Sequence, residues 1–267
     1  MPIITIVSDF GCQDEYAGVM KGVILSICPS VSVIDITHQI DPQDVVQAAY
    51  LIPSFYRFFP QGTVHLVVVD PGVGGQRDLL AVSHRGHVFI APDNGVLTLL
   101  VSREKSDTIV RVNNTDYFLK PVSATFHGRD IFAPISAHII NGIALKELGT
   151  RIECKDIIHL KDLDCRMSES GELSGKIISI DRFGNLTTNI DSSALTALCQ
   201  FESTDRLQIR IRAQEISGLS DCYSSAALNT PLALIGSRNY LEIAVNCGSA
   251  QKYFRAQKGD SVQVTIL

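Results

Sequence analysis

Asp70 stands where an apolar β-branched run, Val67-Val68-Val69, breaks into Pro71-Gly72-Val73-Gly74-Gly75, with Arg77 two residues on. The run reads as a strand buried on both faces. Its acid falls at the carboxyl end, where open α/β sheets place ligand crevices. A proline-glycine turn of this kind can bring Arg77 back over Asp70. By itself the stretch does not separate a site from an incidental ion pair in a surface turn. Other acids also sit at strand ends or turns: Asp9, Asp14, Asp93 and Asp181. A lone carboxylate at a strand end can accept both hydroxyls of a ribose, whereas Asp also bends and caps chains for its own sake. No closely spaced acids or histidines suggest a metal. The glycines after Asp70 lack both the P-loop lysine and the dinucleotide Gly-x-Gly-x-x-Gly pattern, so they are weak evidence for a phosphate cradle.

Among seven histidines, His127 differs. It lies in the turn Phe126-His127-Gly128-Arg129 ahead of a helix, a common place for a catalytic base or orienting group, and equally for a capping residue. His84 and His87 flank a hairpin turn and read as solvated. His38, His65, His138 and His159 lie in or beside regular elements. Later in the chain, Phe183 offers a ring face and Asn185 both a donor and an acceptor, as an adenine edge requires. Ser237, Arg238 and Glu242 could hold a zwitterion; the bland alternatives are an Asn-containing hairpin and a solvated edge strand.

Residues 3–7 form a strand, and Asp14 is expected to cap a helix running to about residue 26. Residues 31–36 form a second strand. Asp41-Pro42 is expected to open a second helix, which ends near Pro53, and residues 64–69 form a third strand. This β-α-β-α-β order implies a parallel sheet with Asp9 and Asp70 on one carboxyl edge. A hairpin around Arg85-Gly86, a short helix through Leu100, a strand at 108–112 and a helix at 131–140 follow. The pattern implies an α/β fold: an amino-terminal three-layer α/β domain with a mostly parallel sheet over 1–160, a polar linker at 161–171, and a smaller, mostly antiparallel β domain over 172–267.

The chain has 267 residues, 45% of them hydrophobic and 19% charged, enough for a packed core. A net charge of −5 argues against a nucleic-acid surface. No apolar run reaches the roughly 20 residues of a membrane helix, and the amino terminus does not read as a signal peptide. Seven scattered cysteines without Cys-x-x-Cys spacing read as reduced thiols of a cytoplasmic protein rather than a zinc site.

Taken in order, Ser8-Asp9-Phe10-Gly11 with Asp14 and Tyr16, Asp70-Pro71-Gly72-Val73-Gly74 with Arg77, Pro92-Asp93-Asn94-Gly95, Phe126-His127-Gly128-Arg129-Asp130, Phe183-Gly184-Asn185, and Ser237 with Asn246-Cys247-Gly248-Ser249 resemble the S-adenosylmethionine hydroxide adenosyltransferases, relatives of the fluorinase and chlorinase enzymes. The resemblance spans essentially the whole chain. It implies hydrolysis of S-adenosyl-L-methionine, with preference for the epimer of R configuration at sulfur, to adenosine and L-methionine. It implies a homotrimer with each site between one subunit's first domain and a neighbour's second, with no cofactor and no metal. It implies a catalytic triad of Asp70, Arg77 and His127, and Asp9 on the ribose diol. Asn185 meets adenine, helped by the backbone near Val245 and Cys247, with Phe183 and Tyr223 stacking it. Ser237 and Glu242 grip the methionine end, with Asp14 and Arg238 close by. The Tyr223 match needs a one-residue shift, and Cys247 sits where the turn's middle residue varies. Halogenating relatives carry tyrosine at the place of Asp70 and serine at that of Gly128, and the fluorinase has an insertion after Arg77 that is absent here. A halide-using 5′-halo-adenosine synthase is therefore the nearest rival, and a non-catalytic S-adenosylmethionine or adenosine binding module the rival of another class.

Overall fold

A computed structural model describes residues 1–102, 106–199 and 204–267. The chain divides into two compact units, Met1–Leu160 and Lys161–Leu267.

The first unit runs β1 (Ile3–Ser8), α1 (Tyr16–Ile27), β2 (Ser32–Thr37), α2 (Val45–Phe55), β3 (Val64–Val68), β4 (Leu79–His84), β5 (His87–Pro92), α3 (Thr98–Val101), β6 (Thr108–Val112), α4 (Ala133–Ile140) and β7 (Gly149–Ile152). Its seven-stranded sheet has the order β2-β1-β3-β5-β4-β6-β7. The pairings from β2 through β5 are parallel, and those from β5 to β7 antiparallel. Alternation along the strands separates two cores. Ile4, Ile6, Leu66 and Val68 face α1 and α4 through Met20, Ile24 and Ile135. Val7, Val67 and Val69 face α2 and α3 through Ala48, Ile52 and Leu100. The α/β reading of the sequence, helices covering both faces of a sheet, therefore holds.

Three local expectations are corrected. Helix α1 starts after Glu15, which makes no side-chain cap, and Asp14 lies outside it, exposed. Helix α2 starts at Val45, where the Asp44 carboxylate accepts from the Gln47 N–H; Asp41-Pro42 belongs to the preceding turn. Asp44 meets the helix where a cap must, three residues before the N–H it accepts. His84 and His87 are not solvated: they are 1% and 5% exposed, under the Tyr56 ring. The two-residue turn Arg85-Gly86, both with positive φ, is tight enough to keep its flanking residues paired in the sheet, so they point into it.

The second unit runs β8 (Arg166–Met167), β9 (Leu173–Ile180), β10 (Leu186–Asp191), α5 (Ser192–Cys199), β11 (Leu207–Ile211), β12 (Gln214–Ser217), β13 (Pro231–Ile235), β14 (Tyr240–Val245), α6 (Ala250–Phe254) and β15 (Ser261–Ile266). All its pairings are antiparallel, in the order β12-β11-β15-β9-β10-β14-β13 with β8 on β9. Leu186, Ile190, Ile209, Leu241 and Val264 fill its core.

Candidate active site

Parallel pairing sets Ser8 beside Val68, so Asp9 and Asp70 leave neighbouring strands at one carboxyl edge. There the chain makes a cleft of ≈ 380 Å³ whose lining includes Asp9, Asp70, His127, Phe10, Tyr16 and Phe126. After β3 the backbone turns tightly, Val73 N–H to Asp70 C=O at 3.2 Å and Gly75 N–H to Gly72 C=O at 3.0 Å. The Arg77 stem returns over Gly72. Gly74 has φ +76°, and a Cβ there would lie 2.0 Å from the Ala124 carbonyl oxygen. Only glycine lets this loop close against the segment that leads to His127.

The result is a three-residue chain of hydrogen bonds. Arg77 Nε donates to Asp70 Oδ1 at 2.6 Å, and Arg77 Nη2 donates to Asp70 Oδ2. Nη2 also meets His127 Nδ1 at 2.9 Å. The Arg77 and Asp70 side chains are only 9% and 5% exposed. A guanidinium donates and cannot accept, so His127 Nδ1 is the acceptor, and the neutral ring carries its proton on Nε2. The electrostatics agree. Burial pushes the His127 imidazole below the ordinary histidine range, the Arg77 charge pushes it the same way, and Asp70 and Asp130 oppose both. Asp130 is itself tied up. Burial alone would raise its carboxyl, but hydrogen bonds from Arg129 and the Ser123 N–H hold it below the usual range.

Asp9 Oδ2 accepts the Gln43 N–H at 2.8 Å, which fixes the carboxylate at the cleft. Ser8 beneath it bonds His38 Nδ1 at 2.7 Å. Phe10, Tyr16 and Phe126 form an aromatic triangle with ring centroids 5.2 to 6.0 Å apart. Asp14 does not line this cleft.

In the second unit Phe183 and Asn185 share the turn between β9 and β10, and Val245 and Cys247 lie at and just past the end of β14. Asp181 Oδ1 accepts the N–H groups of Phe183 and Asn185, each at 2.9 Å, and its Oδ2 accepts the Asn185 amide at 3.1 Å. The turn they shape abuts Ser249: a Cβ on Gly184 would lie 2.1 Å from Ser249 Oγ. Gln251 N–H closes on the Gly184 carbonyl at 2.9 Å. Phe183 is 77% exposed, Val245 ends β14 buried, and Cys247 follows with φ +55°. Glu242, midway along β14, accepts the Tyr223 hydroxyl at 2.6 Å. Ser237 and Arg238 occupy the exposed β13–β14 turn, with Arg238 Nη1 3.5 Å from Ser179 Oγ.

Sequence reasoning assigned no role to Phe10, Phe126 or Gln43. The two rings stood in recognised motifs, so their clustering had a signal. Gln43 acts through its backbone at φ +67°, which no residue type announces. Among the described residues, no group of three or more His, Cys, Asp or Glu side chains is placed to hold a metal ion, and no helix is long and apolar enough to cross a membrane.

Comparison with known proteins adds the following. The family models for the SAM hydroxide adenosyltransferase N-terminal and C-terminal domains match residues 4–149 and 175–263. The chain is 31% identical to an (R)-S-adenosyl-L-methionine hydrolase of Methanocaldococcus jannaschii, over 99% of this chain and 96% of that protein. It is 29% identical to a fluorinase of Actinopolyspora mzabensis, over 99% and 97%. The crystal structure of an uncharacterized conserved protein from Thermotoga maritima superimposes with a TM-score of 0.90 at 33% identity, covering 99% of this chain and 100% of that one.

Proposed function

The chain belongs to the SAM hydroxide adenosyltransferase family, and from that premise we propose that it hydrolyses S-adenosyl-L-methionine, preferentially the R-sulfonium epimer, to adenosine and L-methionine. The observation that carries this reading is the Asp70–Arg77–His127 chain at the wall of the cleft. Water attacks the ribose 5′ carbon in line with the sulfonium. The C5′–S bond breaks with its electron pair on sulfur, so methionine leaves neutral and needs no acid. The difficulty lies in the nucleophile, which must lose a proton as its oxygen bonds to carbon.

We divide that task among the three residues. Arg77 cannot accept a proton and His127 has its Nδ1 lone pair taken, which leaves the Asp70 carboxylate as the group that receives the water proton. His127 presents Nε2–H as a donor that holds the water oxygen, and Arg77 fixes Asp70 bidentately and His127 through one further hydrogen bond. Asp9 takes the ribose diol, and Asn185 with the backbone at Val245 and Cys247 takes adenine, between the Phe183 and Tyr223 rings. Ser237, Arg238, Glu242 and Asp14 serve the methionine end. S-adenosylmethionine is substrate, and the chemistry calls for no cofactor or metal. We place the protein in the cytoplasm as a homotrimer whose sites are completed by neighbouring copies. Light scattering at three times the 29.1 kDa chain mass supports the trimer; a monomer mass overturns it.

Fluorinase relatives make halide the competing nucleophile. A carboxylate at the attack position disfavours it, because two anions repel strongly in a dry pocket. The test is incubation with each epimer, with and without high halide, followed by chromatography. Equal amounts of adenosine and methionine are expected, fastest from the R epimer. Asp70→Asn, which keeps the shape and removes the acceptor, should slow release by about 10² to 10⁴-fold. A halide-dependent 5′-halo-adenosine in place of adenosine reverses the choice of nucleophile.

A further inference from the structure

Glu242 lies inside the second unit's sheet, paired through the backbone with Thr187 on one side and Leu234 on the other. Both neighbours are buried, 7% and 5% exposed. A carboxylate set between such neighbours is complemented by a cation that also brings N–H donors. Among the described residues Glu242 has no ion-pair partner. What it has is a phenol: the Tyr223 hydroxyl donates to Oε1 at 2.6 Å. That bond pushes the phenol up to about 12, with burial adding to it, so Tyr223 stays protonated and remains a donor. The other oxygen, Oε2, faces Gly236: a Cβ at that residue would lie 2.6 Å from it. Gly236 has an ordinary φ, so its lack of a side chain serves space rather than backbone conformation.

We propose that Tyr223 is a positioning residue, whose hydroxyl saturates Glu242 Oε1 and holds the carboxylate so that Oε2, over Gly236, receives the α-ammonium of the substrate's methionine end. This rests on the hydrolase reading and sharpens it. An ammonium matches the site because it supplies both the missing charge and N–H donors. The sulfonium, equally cationic, has no N–H to give. Tyr223 therefore acts on recognition of the leaving group and not on the water.

The test is steady-state adenosine release from S-adenosyl-L-methionine and from its deaminated analogue, in which hydrogen replaces the ammonium. Tyr223→Phe keeps the ring and removes the hydroxyl. It should raise KM for S-adenosyl-L-methionine about tenfold with kcat within twofold, and leave KM for the deaminated analogue unchanged. Gly236→Ala, whose methyl crowds Oε2, should show the same selectivity. Adding Tyr223→Phe to Glu242→Gln should cost nothing further. An unchanged KM in Tyr223→Phe, or an equal rise for both substrates, overturns the proposal in favour of a purely structural or stacking role. Absence of adenosine from the unaltered enzyme overturns the hydrolase reading instead. In that event calorimetric binding of S-adenosyl-L-methionine and its deaminated analogue to the same variants decides the positioning role by the same selectivity.

Discussion

A guanidinium has donors and no acceptor, so Arg77 settles more than its own position: it fixes the tautomer of His127 and the orientation of Asp70. Protonating His127 would place a second N–H against the Arg77 donor and a second cation beside it. The neutral ring is the form that closes this chain of hydrogen bonds. Since burial, then Arg77, hold the imidazole below the ordinary histidine range, that form persists below about pH 6.5. We expect kcat/KM to be flat through neutrality and to fall only on an acid limb displaced below that value. A limb centred at or above pH 6.5 would sink the assignment. Asp70, Arg77 and His127 were legible in the sequence because each stands at a junction where a strand or turn meets a glycine-bearing loop. Their bond directions were not legible, because a tautomer is decided by a partner 50 residues away. Asp14 shows the reverse failure: an acid near a helix start reads as a cap, yet α1 begins after Glu15 without one.

At the scale of elements, the site depends on a loop closing where two strands end. Gly74 approaches Ala124 more closely than any Cβ allows and does so at φ +76°. Gly74→Ala therefore has to open the loop or strain it, at a cost on the order of 1–3 kcal/mol, and Arg77 moves with it. The expected result is a lower melting temperature together with a loss of kcat larger than the fraction unfolded explains. Full activity in a stably folded Gly74→Ala protein would refute the loop's role. The π-helical turn Gly128–Phe132 ahead of α4 is a second such device, setting His127 at the mouth of a helix that the sequence placed only from residue 131. Strand and helix identities were legible because their apolar periods are strong: residues 3–7 and 108–112 are strands as read. Pairing direction was less so. A buried run such as Leu79–His84 looks alike whether its neighbour runs parallel or antiparallel, and the antiparallel extension β4-β6-β7 emerges only from the topology.

For the molecule as a whole, the histidines that do not touch the cleft set how acid is tolerated. His65 is fully buried, bonded through Nδ1 to Thr5 Oγ1 at 2.8 Å and through Nε2 to His87 Nδ1 at 3.1 Å. Burial lowers it to about 3, and the neighbouring His87 adds to that. His87 is lowered by its own burial and then by His84. A lowered folded value means that the unfolded chain takes up the proton first. Stability is complete above about pH 6.5 and is lost as pH falls toward the folded value, by about 1.4 kcal/mol per pH unit for each fully shifted histidine. His127 and His138 are lowered by burial and act in the same sense. The lowered carboxyls of Asp35, Asp130 and Asp260 lose their contribution only further into acid, below 3.8. Asp93, raised by burial, works in the opposite sense and offsets part of the loss. The window between pH 6.5 and 4.5 thus belongs chiefly to the histidines. The urea midpoint should fall steadily across it, and His65→Asn, whose amide does not titrate, should flatten that slope even if it lowers the midpoint at pH 7. A midpoint independent of pH over that window, or an unchanged slope in His65→Asn, would show that the cluster does not govern acid stability. Because activity is expected to fail on the same side of neutrality, the two acid limbs must be measured together. Reversible loss of rate while the urea midpoint is still high reports His127, and loss that tracks the midpoint reports His65 and its neighbours.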